Sequence, residues 1–224
     1  MFFLISFSEQ EKIDLKKELI RKGIHICSLS IPIVVYYVSR ETALLIFTPL
    51  AVIALILEFF RYRSEIVAKV FYFFFGEILR KHEVESKKKL LTGGTYVLVS
   101  AALCVFLFPK VLFVMGFSIL IISDTLAAFV GKTVGKHKIH GKTFEGSLAF
   151  FVSAILVILL TPKITYSGTE YIIGFVGAFI ATIVELFSFG LLDDNFSIPL
   201  FSGGVMWLFY ILLLPDVNIW SLNI

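Results

Sequence analysis

Residues 111–132 read VLFVMGFSILIISDTLAAFVGK, an apolar run interrupted by one carboxylate, Asp124. The run is as long as the roughly 20 helical residues that cross a hydrocarbon core. An ionised group near the middle of such a helix costs about 2.5–3.5 kcal/mol on insertion scales, so Asp124 calls for a partner or a function. Asp124, Ala127, Ala128, Gly131 and Gly135 recur at i, i+3, i+4, i+7 and i+11 and therefore share one helical face. That face is small beside one acid, and it would admit a partner helix or a ligand closely.

Outward from this run the same apolar pattern repeats. The chain is 58% hydrophobic with a mean hydropathy of +0.93, well above the balance of a soluble domain. Spans are expected near residues 24–39, 43–60, 94–109, 111–130, 147–162, 170–190 and 199–215, with the first and fifth short. The expected fold is an all-α integral membrane protein, a polytopic bundle of about seven transmembrane helices over residues 1–224. A charged amphipathic stretch from about Ser64 to Lys89 is expected to form one interfacial helix, with Phe71, Phe73, Phe74 and Phe75 toward lipid or protein. The N-terminal MFFLISF is too short for a secretory signal and is expected to lie in the interface or pack locally. Cys27 and Cys104 fall inside apolar runs and read as small buried hydrophobes.

The net charge of +3 hides a strong asymmetry. Of the 20 Lys and Arg, all but Arg40, Lys110 and Lys163 fall in the N-terminal arm, the 61–93 connection or the 131–147 connection. By the positive-inside rule those segments and the N-terminus are expected to be cytoplasmic, with the C-terminus on the opposite side. No nucleic-acid partner is expected.

Further polar residues gather toward the same face. Glu185 lies near the cytoplasmic end of the sixth expected span, and Asp193-Asp194-Asn195 follows in a connection without Lys or Arg. Oxygen donors of this kind suit a hard divalent cation, so Asp124, Asp193, Asp194 and Asn195 are candidate metal ligands. Between the acidic elements runs GKTVGKHKIHGKTFEGS, residues 131–147. Its glycines, Gly131, Gly135, Gly141 and Gly146, would let backbone amides approach phosphate oxygens. Lys132, Lys136, Lys138 and Lys142 supply positive charge, and Thr143, Glu145 and Ser147 complete the candidate nucleotide loop. It is not a Walker A loop, because position 136 would have to be Gly and is Lys. A basic loop touching anionic headgroups is the plainer reading of the same lysines. His137 and His140 read as loop histidines. Lys22 and His25 enter the first span as candidate phosphate or substrate contacts, while Glu58 and Arg61 at i, i+3 are expected to pair.

These residues carry a resemblance. SDTLAAFVGKTVGKHKIHGKTFEGSLAFF, Ser123 to Phe151, resembles the polyprenol and lipid-alcohol kinases: dolichol kinase, phytol kinase and CTP-dependent diacylglycerol kinase. ELFSFGLLDDNFSIPL, Glu185 to Leu200, is similar to their second signature, and Arg21-Lys22 with His25 to their N-terminal element. The resemblance implies a kinase using CTP or another nucleoside triphosphate with Mg²⁺ to phosphorylate the hydroxyl of a membrane lipid alcohol. Asp124 and Glu185 would be its catalytic carboxylates, and which of them takes the proton stays open. The family is similar in turn to the CDP-diacylglycerol synthases. The expected His, Gly-Gly and Arg of that family's C-terminal signature do not occur in Leu191-Leu192-Asp193-Asp194-Asn195, which weighs against a cytidylyltransferase. Intramembrane acids also mark ion-coupled transporters, although those usually place them at the midplane and within an inverted repeat.

Overall fold

The computed structural model of the chain describes residues 20–76, 79, 91–187 and 193–221. The N-terminal apolar run and most of residues 77–90, with Lys87, Lys88 and Lys89, lie outside the described residues, as does the 188–192 connection. Nearly all of the described chain is helical. Helix α1 covers 20–27, and α2 is Ser30–Tyr37. Next come α3 (Arg40–Arg61), α4 (Glu65–Phe75) and α5 (Gly93–Leu107). Helix α6 runs over Lys110–Thr133, and a two-stranded hairpin follows, β1 (Lys138–Ile139) and β2 (Lys142–Thr143). The chain continues through α7 (Phe144–Leu160), α8 (Gly168–Phe187) and α9 (Asp194–Leu213).

Among the described residues, four helices, α3, α6, α8 and α9, are long and apolar enough to cross a membrane. The expectation of seven such spans meets a difference at the other three. The first expected span is two short helices parted by a turn at Ser28-Leu29. Pro32 lacks the N–H that would bond back to the Ser28 carbonyl, which takes the Ile31 amide at 2.9 Å instead, and the break falls at that point. Helices α5 and α7 have 15 and 17 residues, below the roughly 20 of a full perpendicular crossing.

Helix α6 is the axis of the bundle. Every residue from Lys110 to Ser118 is buried, and Ile119, Leu120 and Ile121 are wholly so. Phe113 and Phe117 stack with ring centres 4.5 Å apart. Around α6 pack α2, α7 and α9, while α8 covers α7 and α9, and α5 links α9 to α3. Helix α3 lies at the edge, with Leu45 75% exposed and a row of apolar side chains turned outward. A soluble protein would leave no such row in water; hydrocarbon solvates it without cost. Helix α4 packs on α3 and has no buried residue. Its Phe73 and Phe74 are exposed and Phe71 half-buried, as the amphipathic reading of this stretch requires. Cys104 is buried but Cys27 is exposed on α1, which corrects the expectation that both thiols are enclosed.

The contrast between axis and edge is measurable. Leu120→Ala opens a cavity beside α6 and is expected to cost about 2–5 kcal/mol. Leu45→Ala removes contacts with solvating lipid or detergent alone and is expected to leave the unfolding temperature nearly unchanged. Thermal unfolding of both variants in one detergent checks the order.

Candidate functional site

Asp124 follows directly on a widened turn of α6. Residues Ile119–Ser123 wind as a π-helix, which inserts one extra residue and rotates everything after it relative to the first half of the helix. The rotation brings Asp124 to α1. Lys22 and His25, one turn apart on α1, both face it. The Lys22 ammonium pairs with Asp124 Oδ2 and also donates to the Asp124 backbone carbonyl at 3.1 Å. His25 Nε2 lies 3.5 Å from the same Oδ2. The apolar run thus places a carboxylate, an ammonium and an imidazole at one point.

A second charged cluster sits beside it. Lys142 Nζ lies 2.8 Å from Glu185 Oε1 and 3.1 Å from Asp194 Oδ2, and it also donates to the Glu185 backbone carbonyl. Ser147 donates to Glu185 Oε2 at 3.2 Å. Burial alone would lower the Lys142 pKa, but the Asp194 and Glu185 carboxylates outweigh it and hold the pKa above the ordinary lysine value. The ammonium ties the C-terminal end of α8 to the first turn of α9.

The hairpin delivers Lys142. Lys138 pairs with Thr143 and Ile139 with Lys142 across a two-residue turn, His140-Gly141, with φ of 48° and 82°. Both central residues in the left-handed region make the hairpin turn whose twist matches its strands, and glycine serves the second position without strain. The His140 ring leans on Phe187, 5.3 Å away. At the base, Glu145 accepts from His137 Nδ1 at 2.7 Å and from the Lys136 amide at 3.1 Å. Glu145 therefore anchors the connection into the hairpin.

Several residues expected to cradle phosphate have other partners. A Cβ on Gly131 would come within 2.8 Å of Thr143 Oγ1, and one on Gly146 within 3.0 Å of the Ala127 carbonyl. These glycines, with Gly135, allow α6 and the start of α7 to approach, so the small face beside Asp124 receives a helix. Thr143 caps α7 by accepting from the Gly146 amide at 3.2 Å. Lys132, Lys136 and Lys138 stay exposed around the hairpin.

The candidate metal ligands do not converge as one shell. Asp193 caps α9, its Oδ1 accepting from the Asn195 amide at 2.9 Å and from Asn195 Nδ2 at 2.6 Å. Asp194 turns to Lys142 and Asp124 to Lys22. Among the described residues no group of three or more His, Cys, Asp or Glu side chains is spaced to hold a metal ion. The oxygens have the chemistry of Mg²⁺ ligands, but ammonium groups answer their charge, and as arranged they do not fit a resident ion.

Sequence reasoning missed the space the first cluster faces. A cavity of about 450 Å³ opens between α1, α3, α4 and α5, with Lys22, His25, Asp124 and Asn195 at its polar end. Its apolar sides include Ile24, Leu57, Phe75 and Leu98. Glu58 and Arg61, expected to pair, form a buried ion pair at 2.6 Å that braces this wall. Glu58 Oε1 accepts from the Thr92 amide at 2.8 Å and from Thr95 Oγ1 at 3.1 Å, fixing the start of α5. The Arg61 guanidinium lies over the Tyr62 and Phe71 rings at 4.5 and 4.9 Å, fixing α4. The available signal was Thr92-Gly93-Gly94-Thr95, small residues and hydroxyls opening an apolar helix.

Over 191 residues the chain is 34% identical to the uncharacterized protein RP860 of Rickettsia prowazekii (strain Madrid E), covering 85% of this chain and 92% of that protein. No family model matches the chain, and no solved structure matches it.

Lys142→Met leaves Glu185 and Asp194 without their shared cation and is expected to cost about 1–3 kcal/mol, less than a fully enclosed pair because Lys142 is partly exposed. With its folded pKa raised, Lys142 contributes fully below the unfolded lysine value of about 10.4 and loses the contribution as pH climbs through the raised value. The gap in unfolding temperature between wild type and K142M should therefore be constant from neutral pH to about 10 and shrink above it.

Proposed function

This chain belongs to the same family as the Rickettsia prowazekii protein RP860, and from that premise and the site geometry we propose that it is a kinase of a membrane lipid alcohol. The nucleoside triphosphate, CTP by the resemblance, would enter from the cytoplasm, and a polyprenol, phytol-like alcohol or diacylglycerol from the bilayer. One observation carries the reading. The cavity is apolar along its sides and ends at Asp124, Lys22 and His25, next to the Lys142 cluster and the exposed hairpin lysines. An amphiphile with one hydroxyl matches the first part, and a polyphosphate matches the second.

The chemistry asked of the protein is small, because phosphoryl transfer depends on positioning and on neutralising charge. The lipid hydroxyl would lie against Asp124, which accepts its proton as the oxygen bonds to the terminal phosphorus. The bond from that phosphorus to the bridging oxygen breaks, and the nucleoside diphosphate leaves. Lys22 holds the Asp124 carboxylate in place and answers its charge before transfer. Lys136, Lys138 and Lys142 would spread the charge of the triphosphate. Mg²⁺ belongs to this reading as part of the nucleotide substrate, and no step is assigned to it.

The same reading sets the topology. Helices α1 and α2 together form one broken crossing, and with α3, α5, α6, α7, α8 and α9 they make seven. The N-terminus and the site face the cytoplasm, and the C-terminus faces the other side. The distribution of the 20 Lys and Arg supports this orientation.

Incubation of the purified protein with Mg²⁺, a panel of CTP, ATP and UTP, and several lipid alcohols tests the proposal. A lipid monophosphate with the nucleoside diphosphate is expected. Pyrophosphate with a CDP-lipid would instead establish a cytidylyltransferase, and no turnover of any nucleotide would shift the weight to a transporter. Asp124→Asn keeps the shape but removes both the proton acceptor and the counter-charge of Lys22, so it should lower the unfolding temperature and, in the folded fraction, lower kcat by about 10²–10⁴. Near-normal kcat in that variant would overturn the role of Asp124.

A further inference from the structure

We propose that the cavity holds the head-proximal segment of a single lipid chain, so that the protein chooses its lipid by the part next to the hydroxyl and is indifferent to length beyond it. This rests on the reading of Asp124 as the partner of that hydroxyl. Polarity sets the direction: Lys22, His25 and Asp124 cluster at one point, and the rest of the lining is mostly apolar, with Arg21, Ser28, Thr92 and Thr95 among its other polar members. The capacity sets the length. A cavity of about 450 Å³ accommodates a segment of one chain next to the hydroxyl.

Ile24, Leu57 and Phe75 line the cavity and keep about half of their surface accessible, so the space is open between α1, α3 and α4, at the edge of the bundle where α3 turns its apolar row outward. The α5 wall is flat, because Gly94 has no atom within 4 Å of where a Cβ would stand. The opposite wall is α4, held by the buried Arg61 between its rings and Glu58.

Physical reasoning turns this shape into selectivity. A chain leaving the bilayer for the cavity exchanges one apolar surrounding for another and gains little hydrophobic free energy. What discriminates is packing inside, where each atom must fit. Carbons beyond the mouth remain among lipid tails in the free and the bound state, and contribute nothing.

The test uses the full chain in nanodiscs with single-chain alcohols of about ten to about forty carbons, a photoreactive diazirine placed either near the hydroxyl or near the tail. The head-proximal probe is expected to label α1, α3 or α5 at the cavity, and the tail probe of the long alcohol to label surrounding lipid. Catalytic efficiency, in mole fraction of alcohol, is expected to rise over the shorter alcohols and then level off. Gly94→Leu and Ala54→Leu fill the space from two walls, and both suit a helix, so each should cut head-proximal labelling at least about tenfold while keeping the unfolding temperature. Head-proximal labelling outside the cavity, efficiency climbing steadily to the longest alcohol, or undiminished labelling in both filled variants overturns the inference. Cavity labelling with no turnover of any nucleotide supports the chain site and overturns the kinase reading alone.

Discussion

A carboxylate set into an apolar helix must either find a cation or take up a proton, and the first solution organises this bundle. Asp124 meets Lys22, and Lys22 is on α1, so the first helix is drawn against the axis of the fold by one ion pair. The pair also decides where the cavity ends. Helix α1 has no buried apolar residue of its own, so this pair is the main polar tie between α1 and α6. The π-turn at Ile119–Ser123 belongs to the same constraint. Its extra residue turns Asp124 out of the fully buried first half of α6 and toward a partner that a regular helix would place on another face.

The three basic residues that the sequence sets apart have a shared structural answer. Arg40 donates to the Val105 and Phe106 carbonyls at the end of α5, Lys110 to the Tyr36 carbonyl at the end of α2, and Lys163 to the Ile158 and Thr161 carbonyls at the end of α7. Each cation sits on the negative end of a helix whose last carbonyls have no intrahelical donor. Lys163 is enclosed enough that burial pushes its pKa down to about 8, with Glu170 opposing. The exceptions to the charge asymmetry are thus helix caps, and they leave the asymmetry of the solvated lysines intact.

Much of the site was legible in the sequence because its residues violate their surroundings. Asp124 and Glu185 stand in apolar runs, and Lys142 and Asp194 flank such runs. Solvation costs alone mark them. What the sequence could not distinguish was the use of the glycines. A glycine that lets a backbone reach phosphate and one that lets two helices touch both lack a Cβ for the same steric reason, and at Gly131 and Gly146 the structure shows the helix contact. The acids of Asp193-Asp194-Asn195 were read together because they adjoin, yet one caps a helix and the next reaches Lys142. The short third span was legible, α5 stopping at Leu107 before Pro109, whereas the turn at Ser28-Leu29 that parts the first span was not. The cavity was invisible because four separated helices build it from ordinary apolar residues.

Asp194 and Asn195 connect the two charged clusters through the backbone of α9. They are consecutive in the first turn of α9, and one faces Lys142 while the other lines the cavity beside Asp124. Their spacing is set by the backbone and by the Asp193 cap, so the distance between the two clusters does not depend on a flexible side chain. Anything that pulled Lys142 from Glu185 and Asp194 would release the end of α8 and the start of α9 together. A polyanion reaching the hairpin lysines would compete for that ammonium. In such a bundle, the hairpin lysine and the polar end of the cavity are joined through one helical turn.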